Sequence, residues 1–120
     1  MLNLKEKKMR NIITKLSHKV EDKIICYLTI KVGEAQIGYS AFKDLDGKYI
    51  SGNIILYPIG KGEKIRGKTL IISSMVTDVN PNTDLTSITY TINDNDIKTV
   101  TKEVESNNSS IYYTTYLKFE

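Results

Sequence analysis

The sequence predicts a mainly β fold, an antiparallel sandwich or barrel of about seven strands that carries one N-terminal α-helix. Two observations predict the strands: several short segments alternate apolar and polar residues, and clusters of Gly, Pro, Asn and Asp separate these segments. A third observation, apolar residues at helical spacing near the N-terminus, predicts the helix. The 120 residues suit one domain, 1–120, with the helix at about 4–19 and a β-rich body at about 24–119.

The predicted helix depends on one apolar stripe. Its members recur at intervals of three and four residues, and they are Met9, Ile12, Ile13, Leu16 and Val20. Asn3 and Glu6 stand at the spacing of a capping box, which predicts where the helix begins. We expect the stripe to pack against the sheet while the lysines of the same segment stay in water.

After the helix the apolar period becomes two. The segment Ile24–Val32 alternates throughout, and Ala35–Phe42 follows it as a second predicted strand. The dipeptide Asp46-Gly47 between alternating segments predicts a hairpin. The third predicted strand is Lys48–Tyr57, which we expect Pro58 to stop.

Four further strands are predicted in the second half of the chain. They are separated by turn clusters at residues 93–96 and 106–110, and they are Leu70–Val76, Thr86–Ile92, Ile97–Val104 and Ile111–Phe119.

Charge and composition narrow the classes of partner. The net charge is +3, but the chain has 2 Arg against 15 Lys, and Arg is the residue that grips phosphates and bases bidentately. Nucleic acid is therefore an unlikely partner. The apolar runs are short, which predicts no membrane span. Lysines interrupt every N-terminal window that an export signal would need, and the single cysteine suits a reducing compartment, so we expect a cytoplasmic protein.

One segment matches the phosphate-binding loop pattern G-x-x-x-x-G-K-[ST]. The match makes Gly62, Gly67, Lys68 and Thr69 candidate phosphate or nucleotide ligands. The residues that follow do not suit the motif, since Leu70–Val76 favours a strand where the motif requires a helix. The alternative is a basic loop between strands that is flanked by glycines.

A second segment places side-chain oxygens at alternate positions, as in the first half of a calcium-binding loop. Its candidate calcium ligands are Asp78, Asn80, Asn82 and Asp84. Thr83 and Thr89 stand where an EF-hand needs Gly and Glu, which excludes that motif. Asn and Asp also form ordinary turns, so a solvated connection is the alternative.

The sequence offers no catalytic set and implies no cofactor. His18 is the single histidine, expected on the solvated side of the helix, and Cys26 is expected to be a buried, inert thiol. Tyr112 and Tyr116 share one side of the last strand, which makes them candidate interaction residues. The sequence thus predicts a small non-enzymatic binding protein whose partner is another protein or a second copy, with calcium or phosphate binding by loops as the alternative.

Overall fold

Nine strands and one short helix make up residues 10–33, 36–79, 85–103 and 110–120, which are the residues that the computed structural model describes. In chain order they are β1 (Arg10–His18), β2 (Ile25–Val32), β3 (Gln36–Lys43), β4 (Tyr49–Gly52), β5 (Tyr57–Lys61), α1 (Gly62–Ile65), β6 (Thr69–Asp78), β7 (Leu85–Ile92), β8 (Asn95–Glu103) and β9 (Ser110–Phe119).

The strands form two sheets. The five-stranded sheet has the order β1-β9-β6-β3-β4, and the four-stranded sheet has the order β5-β2-β7-β8. The strands in both sheets pair antiparallel, except that β1 pairs parallel with β9. The mainly β prediction is confirmed, and the sheets do not close into a barrel, because each described sheet ends in edge strands. No helix in the described part of the chain is long and apolar enough to cross a membrane.

The core lies between the two sheets. Alternate residues of β6, β7 and β9 are buried, as the period of two in their sequences requires. The largest fully buried side chains come from both sheets: Leu28, Leu70, Ile72, Ile88, Tyr90, Ile92, Ile111, Tyr113, Leu117 and Phe119. Burial of this apolar surface is the main force that holds the sheets together.

Hydroxyl groups connect the sheets through this apolar core. The Tyr90 phenol of β7 lies 2.6 Å from the Thr115 hydroxyl of β9, and Thr86 of β7 lies 2.5 Å from the Tyr113 phenol of β9. Burial raises the pKa of Tyr90 to about 12, although hydrogen bonds from Thr115 and Ser74 oppose this shift. These directional bonds fix how one sheet is aligned on the other, which apolar contact alone does not specify.

The prediction of a helix over residues 4–19 is wrong where the structure describes the chain, because residues 10–18 form β1. Residues 4–9 lie outside the described residues. Leu16 is buried, whereas Ile13, a member of the predicted stripe, is 63% exposed.

Two facts explain why residues 10–18 form a strand and not the predicted helix. Ile12, Leu16 and Val20 are four residues apart, and a spacing of four fits a strand of period two as well as a helix. Nine consecutive backbone pairings with β9, from Arg10↔Ile111 to His18↔Phe119, then favour the strand. A contact between residues so distant in sequence overrides local helical propensity.

The predicted third strand, Lys48–Tyr57, is a strand only over β4, because residues 53–56 are not in a strand and Tyr57 is the first residue of β5 in the other sheet. β4 ends at Gly52, whose φ is +109°, and the chain crosses to the other sheet before β5 begins. Pro58 does not stop a strand. It lies within β5, an edge strand, where its missing N–H removes no bond to a strand on the outer side.

Both described hairpins use the turn chemistry that the sequence indicates. Between β3 and β4, Gly47 has a φ of +90° and its N–H donates to the carbonyl of Asp44. Between β7 and β8, Asn93 and Asp94 have φ values of +50° and +71°, the pair of positive values that defines a type I′ turn. Asn95 and Asp96, predicted as turn residues, begin β8.

Replacing Tyr90 by Phe should destabilise the protein by about 1–3 kcal/mol, because it leaves the buried Thr115 hydroxyl without its 2.6 Å partner. Removing both hydroxyls with Tyr90→Phe and Thr115→Val should cost less than the sum of the single changes. Urea unfolding measures these free energies. Thr89→Val, which breaks the exposed 3.1 Å bond to Thr99, is the control and should cost under about 0.5 kcal/mol. A Tyr90→Phe variant as stable as the wild type would contradict this role of the hydroxyl bonds.

Candidate functional site

The outer face of the five-stranded sheet carries the candidate interaction residues. Along β9 the residues alternate between buried and half-buried, so Tyr113 and Thr115 point into the core while Tyr112 and Tyr116 point outward. The two tyrosines therefore share one side of β9, and that side is the outer one. Large apolar residues of the neighbouring strands share this outer face, which we call the tyrosine face: Ile13, Ile37, Tyr39, Tyr49, Ile71, Met75, Tyr112 and Tyr116.

The strand register arranges these residues in rows across the strands. One row joins Tyr112 of β9 to Met75 of β6 and Tyr39 of β3, and a second row joins Tyr116 to Ile71. Between them runs a row of small residues: Thr114, Ser73, Ala41 and Ser51. The two bulky rows are about 13 Å apart. On β1 the row between them ends in Ile13, which is 63% exposed.

Beside Tyr116 the surface is concave. A groove of about 800 Å³ is lined by Tyr116 and by Ile13, Leu16, Lys15, Ser17, Thr69 and Lys118. Lys15 is paired with Tyr116, and Ser17 with Lys118, across the parallel β1–β9 ladder. The groove therefore combines an aromatic ring, aliphatic side chains and two ammonium groups.

The charged residues on the described part of the tyrosine face are all positive. Its charged residues are Lys15, Lys43 and Lys118, and no Asp or Glu occupies an outward position on the described strands of this sheet. A partner with negative charge is thus favoured over one with positive charge.

The opposite outer face has a different chemistry. On the four-stranded sheet the outward positions of β7 and β8 are mostly hydroxyl residues: Ser87, Thr89, Thr91, Thr99 and Thr101. We call this surface the threonine face. Small polar residues are ordinary on the solvated side of an antiparallel sheet. Large apolar residues are more exposed on the tyrosine face, at Ile37 (64% exposed), Tyr39 (51%) and Ile71 (50%). The four-stranded sheet exposes Leu85 (44%) and Tyr27 (38%) on its outer side.

Sequence reasoning found Tyr112 and Tyr116 but missed their neighbours Tyr39, Ile71 and Met75. The alternation of each strand already indicates which of its residues share a side. The order of strands in the sheet is decided by pairings between distant segments, and no local pattern in the sequence shows it.

His18 and Cys26 border the same cavity. Both line a cavity of about 470 Å³ at one end of the sheets, and His18 is half-buried on β1 rather than solvated on a helix. Burial raises the pKa of the Cys26 thiol and lowers the pKa of the His18 imidazole. Both shifts favour neutral groups, whereas a nucleophilic pair needs a thiolate beside a charged imidazole.

The segment with the phosphate-loop pattern has a different backbone course from that motif. Its helix, α1, lies before Gly67, and Lys68 leads directly into strand β6. The N–H of Gly67 donates to the carbonyl of Phe119, and the N–H of Lys68 donates to the carbonyl of Ile65. These donors face protein carbonyls, so the backbone here does not support phosphate binding. That Gly62, Gly67, Lys68 and Thr69 bind phosphate or nucleotide stays a prediction.

Lysine side chains nevertheless gather next to this segment. Lys61, Lys64 and Lys68 line a cavity of about 590 Å³, together with Asp46 and Pro58. The positive charge there comes from side chains of β5, α1 and the following turn, and not from a ring of backbone amides.

Most of the predicted calcium loop cannot be placed. Asp78 is fully buried at the end of β6, while Asn80, Asn82 and Asp84 lie outside the described residues. Among the described residues, His, Cys, Asp and Glu form no group of three or more that could hold a metal ion. The calcium prediction stays untested.

A charge-assisted bond ties the β3–β4 hairpin to β5. The Tyr57 phenol donates to Asp44 Oδ2 at 2.6 Å, while Asp44 Oδ1 accepts from the N–H groups of Asp46 and Lys48. The Tyr57 hydrogen bond is the main reason that the pKa of Asp44 is lowered, and the same bond raises the pKa of Tyr57 to about 12.

Comparison with protein-family models, with curated proteins and with solved structures found no match to this chain.

Tyr57→Phe should raise the pKa of Asp44 toward its ordinary value, because it removes the hydrogen bond that does most to lower this pKa. The folded carboxylate has the lower pKa, so its stabilisation is present above the unfolded pKa and is lost as pH falls through the folded pKa. The stability difference between wild type and Tyr57→Phe should therefore shrink in acid. Carboxyl NMR titration and urea unfolding across pH measure both effects.

The control for this experiment is Tyr49→Phe. Tyr49 is 75% exposed, and its phenol has no bond to Asp44. We expect this variant to leave the pKa of Asp44 unchanged. An equal pKa for Asp44 in wild type and in Tyr57→Phe would contradict the assigned cause.

Proposed function

We propose that the chain is a non-enzymatic binding protein and that its tyrosine face is the surface that contacts a protein partner. The observation that carries the proposal is the difference between the two outer faces. The tyrosine face has exposed and half-buried Tyr, Ile and Met residues in aligned rows. The outward positions of β7 and β8 hold mostly Ser and Thr, and the exposed large residues on that side of the molecule include Leu85 and Tyr27.

The composition of the tyrosine face supports a protein partner. Protein interfaces are enriched in Tyr and Met and depleted of charge at their centres. The centre of this face holds Tyr112, Met75, Tyr39 and Ile71, while its lysines lie toward the periphery. Exposed apolar groups arranged in this way gain free energy when a partner removes them from water.

A second copy of the chain remains the alternative partner in this proposal. Self-association through the tyrosine face would bring Lys15, Lys43 and Lys118 of two molecules together, and like charges at a contact are unfavourable. Charge therefore favours a different protein. The expected cytoplasmic location belongs to the proposal as well, and no observation on the structure tests it.

A second candidate function is anion binding at the lysine cavity formed by Lys61, Lys64 and Lys68, which the gathering of these three side chains favours. Inorganic phosphate or ATP that binds only the folded protein should raise the melting temperature, and the same melts with Ca²⁺ test the calcium alternative. A melting temperature that is unchanged at millimolar ligand would remove these alternatives.

Replacing Tyr39 or Tyr116 by Ser should weaken partner binding about thirtyfold, which corresponds to about 2 kcal/mol for a buried interface tyrosine. The wild-type chain, immobilised, first recovers the partner from a lysate of the native host. Calorimetry with the purified partner then compares the variants.

The control is Tyr27→Ser. Tyr27 is 38% exposed on the outer side of β2, in the four-stranded sheet, so this variant makes the same chemical change on the opposite face. We expect its affinity to equal that of the wild type. If Tyr27→Ser weakens binding and Tyr39→Ser does not, the tyrosine face is not the contact surface.

A further inference from the structure

The two sheets have four edge strands among the described residues, and three of them are poor templates for an added strand. β4 has only four residues. β5 contains Pro58, and a register irregularity interrupts its pairing with β2. β8 has an irregular register with β7 and carries Asp96, Lys98, Lys102 and Glu103. Short length, proline, bulges and charge are the devices that keep an edge from pairing with another chain.

The fourth edge, β1, lacks the short length, the proline and the register irregularity, and its charged residues are Arg10 and Lys15. Its nine residues pair with β9 without a register shift, and the strand contains no Pro or Gly. No described strand pairs with its outer side. Alternate N–H and C=O groups of a strand point away from its one neighbour, so β1 presents a regular row of backbone donors and acceptors.

The two charged residues of β1 are both basic. The strand contains Arg10 and Lys15 and no Asp or Glu, and Lys118 lies on β9 next to Ser17. The groove of about 800 Å³ beside Tyr116 is lined by Ile13, Lys15 and Ser17 of β1, so the edge and the groove form one continuous surface.

We infer that β1 accepts an extended acidic segment of the partner protein as an additional strand of the five-stranded sheet. The inference rests on the proposed function and specifies the chemistry of the partner. Backbone hydrogen bonds to β1 would supply affinity, and alternate side chains of the added strand would lie beside Ile13, Lys15 and Ser17. Carboxylates at those positions meet the ammonium groups of Lys15 and Lys118.

A second copy of this chain fits the same edge less well. Antiparallel pairing of β1 with another β1 would bring two strands together that carry Arg and Lys and no acid. Like charges on neighbouring strands are destabilising, whereas opposite charges contribute roughly 0.2–1 kcal/mol per pair. Charge complementarity therefore selects an acidic segment from a different protein.

The experiment uses the full chain and a nine-residue peptide in which Glu alternates with Val. A second peptide has Lys in place of each Glu and tests the role of charge. A third peptide has the acidic sequence with alternate backbone amides N-methylated and tests the role of backbone hydrogen bonds. We expect saturable binding of the acidic peptide, slower hydrogen exchange at the amides of β1, and at least tenfold weaker binding of the other two peptides. Three results would each overturn the inference. They are equal affinity for the acidic and the lysine peptide, slower hydrogen exchange at β4, β5 or β8 in place of β1, and no binding at millimolar peptide.

Charge reversal on the protein tests where the acidic peptide binds. Lys15→Glu should weaken binding of the acidic peptide about fivefold, since it replaces an attraction by a repulsion at an exposed site. The matched control is Lys43→Glu, because Lys43 is also exposed on the tyrosine face but lies on β3, three strands away from β1. We expect its affinity to change less than twofold. An equal loss in the two variants would overturn the inference, because binding would then depend on the net charge of the face.

Partner binding by Tyr39→Ser and hydrogen exchange at β1, measured together, separate this inference from the proposed function. If Tyr39→Ser weakens binding of the recovered partner but the amides of β1 gain no protection in that complex, the tyrosine face binds and the edge does not. If β1 gains protection and Tyr39→Ser has no effect, strand addition stands without the tyrosine face. Protection of β1 that rises with protein concentration alone, together with a dimer in light scattering, would show that a second copy occupies the edge and would overturn the acidic-partner inference.

Discussion

The alternation of β9 is the constraint on which the rest of the structure depends. This strand pairs with β1 on one side and β6 on the other, and it contributes residues to the core and to the tyrosine face in turn. A slip of one residue would exchange its two sides, moving Tyr113 into solvent and Tyr112 into the core. The hydroxyl bonds of Tyr113 and Thr115 to β7 oppose such a slip, because a slipped strand would leave these buried groups without partners.

The parallel pairing of β1 with β9 places β1 at the edge of the five-stranded sheet. The two strands run the same way, and beyond them Val20 donates its N–H to the carbonyl of Glu120, while Glu120 donates its own to His18. β1 is thus attached along its whole length to a strand whose burial alternates strictly. A long, regular edge and an apolar outer face then meet at Tyr116, so one partner segment could contact both.

Much of the fold could be predicted from local sequence, and the exceptions have a common physical cause. β2, β3, β6, β7 and β9 all follow predicted alternation within a few residues. β1 was predicted as a helix because an apolar spacing of four residues suits both the helical period of 3.6 and the strand period of two. Its pairing with β9, about a hundred residues later, decides that it is a strand. β5 was missed because a proline is acceptable at an edge, and edges are known only once the sheet order is known. That Tyr112 and Tyr116 share one side of β9 was local information, but their association with Met75 and Tyr39 was not.

Oxidative footprinting of the eight tyrosines, in the free protein and with the recovered partner, tests the account most directly. In the free protein the account predicts rapid oxidation of Tyr39 (51% exposed) and Tyr49 (75% exposed) and almost none of Tyr90 and Tyr113, which are buried. With the partner bound, Tyr39, Tyr112 and Tyr116 should become protected while Tyr27 on the other sheet stays reactive. Oxidation of Tyr113 in the free protein would contradict the register of β9. Protection of Tyr27 in place of Tyr39 and Tyr116 would contradict the assignment of the tyrosine face as the partner surface.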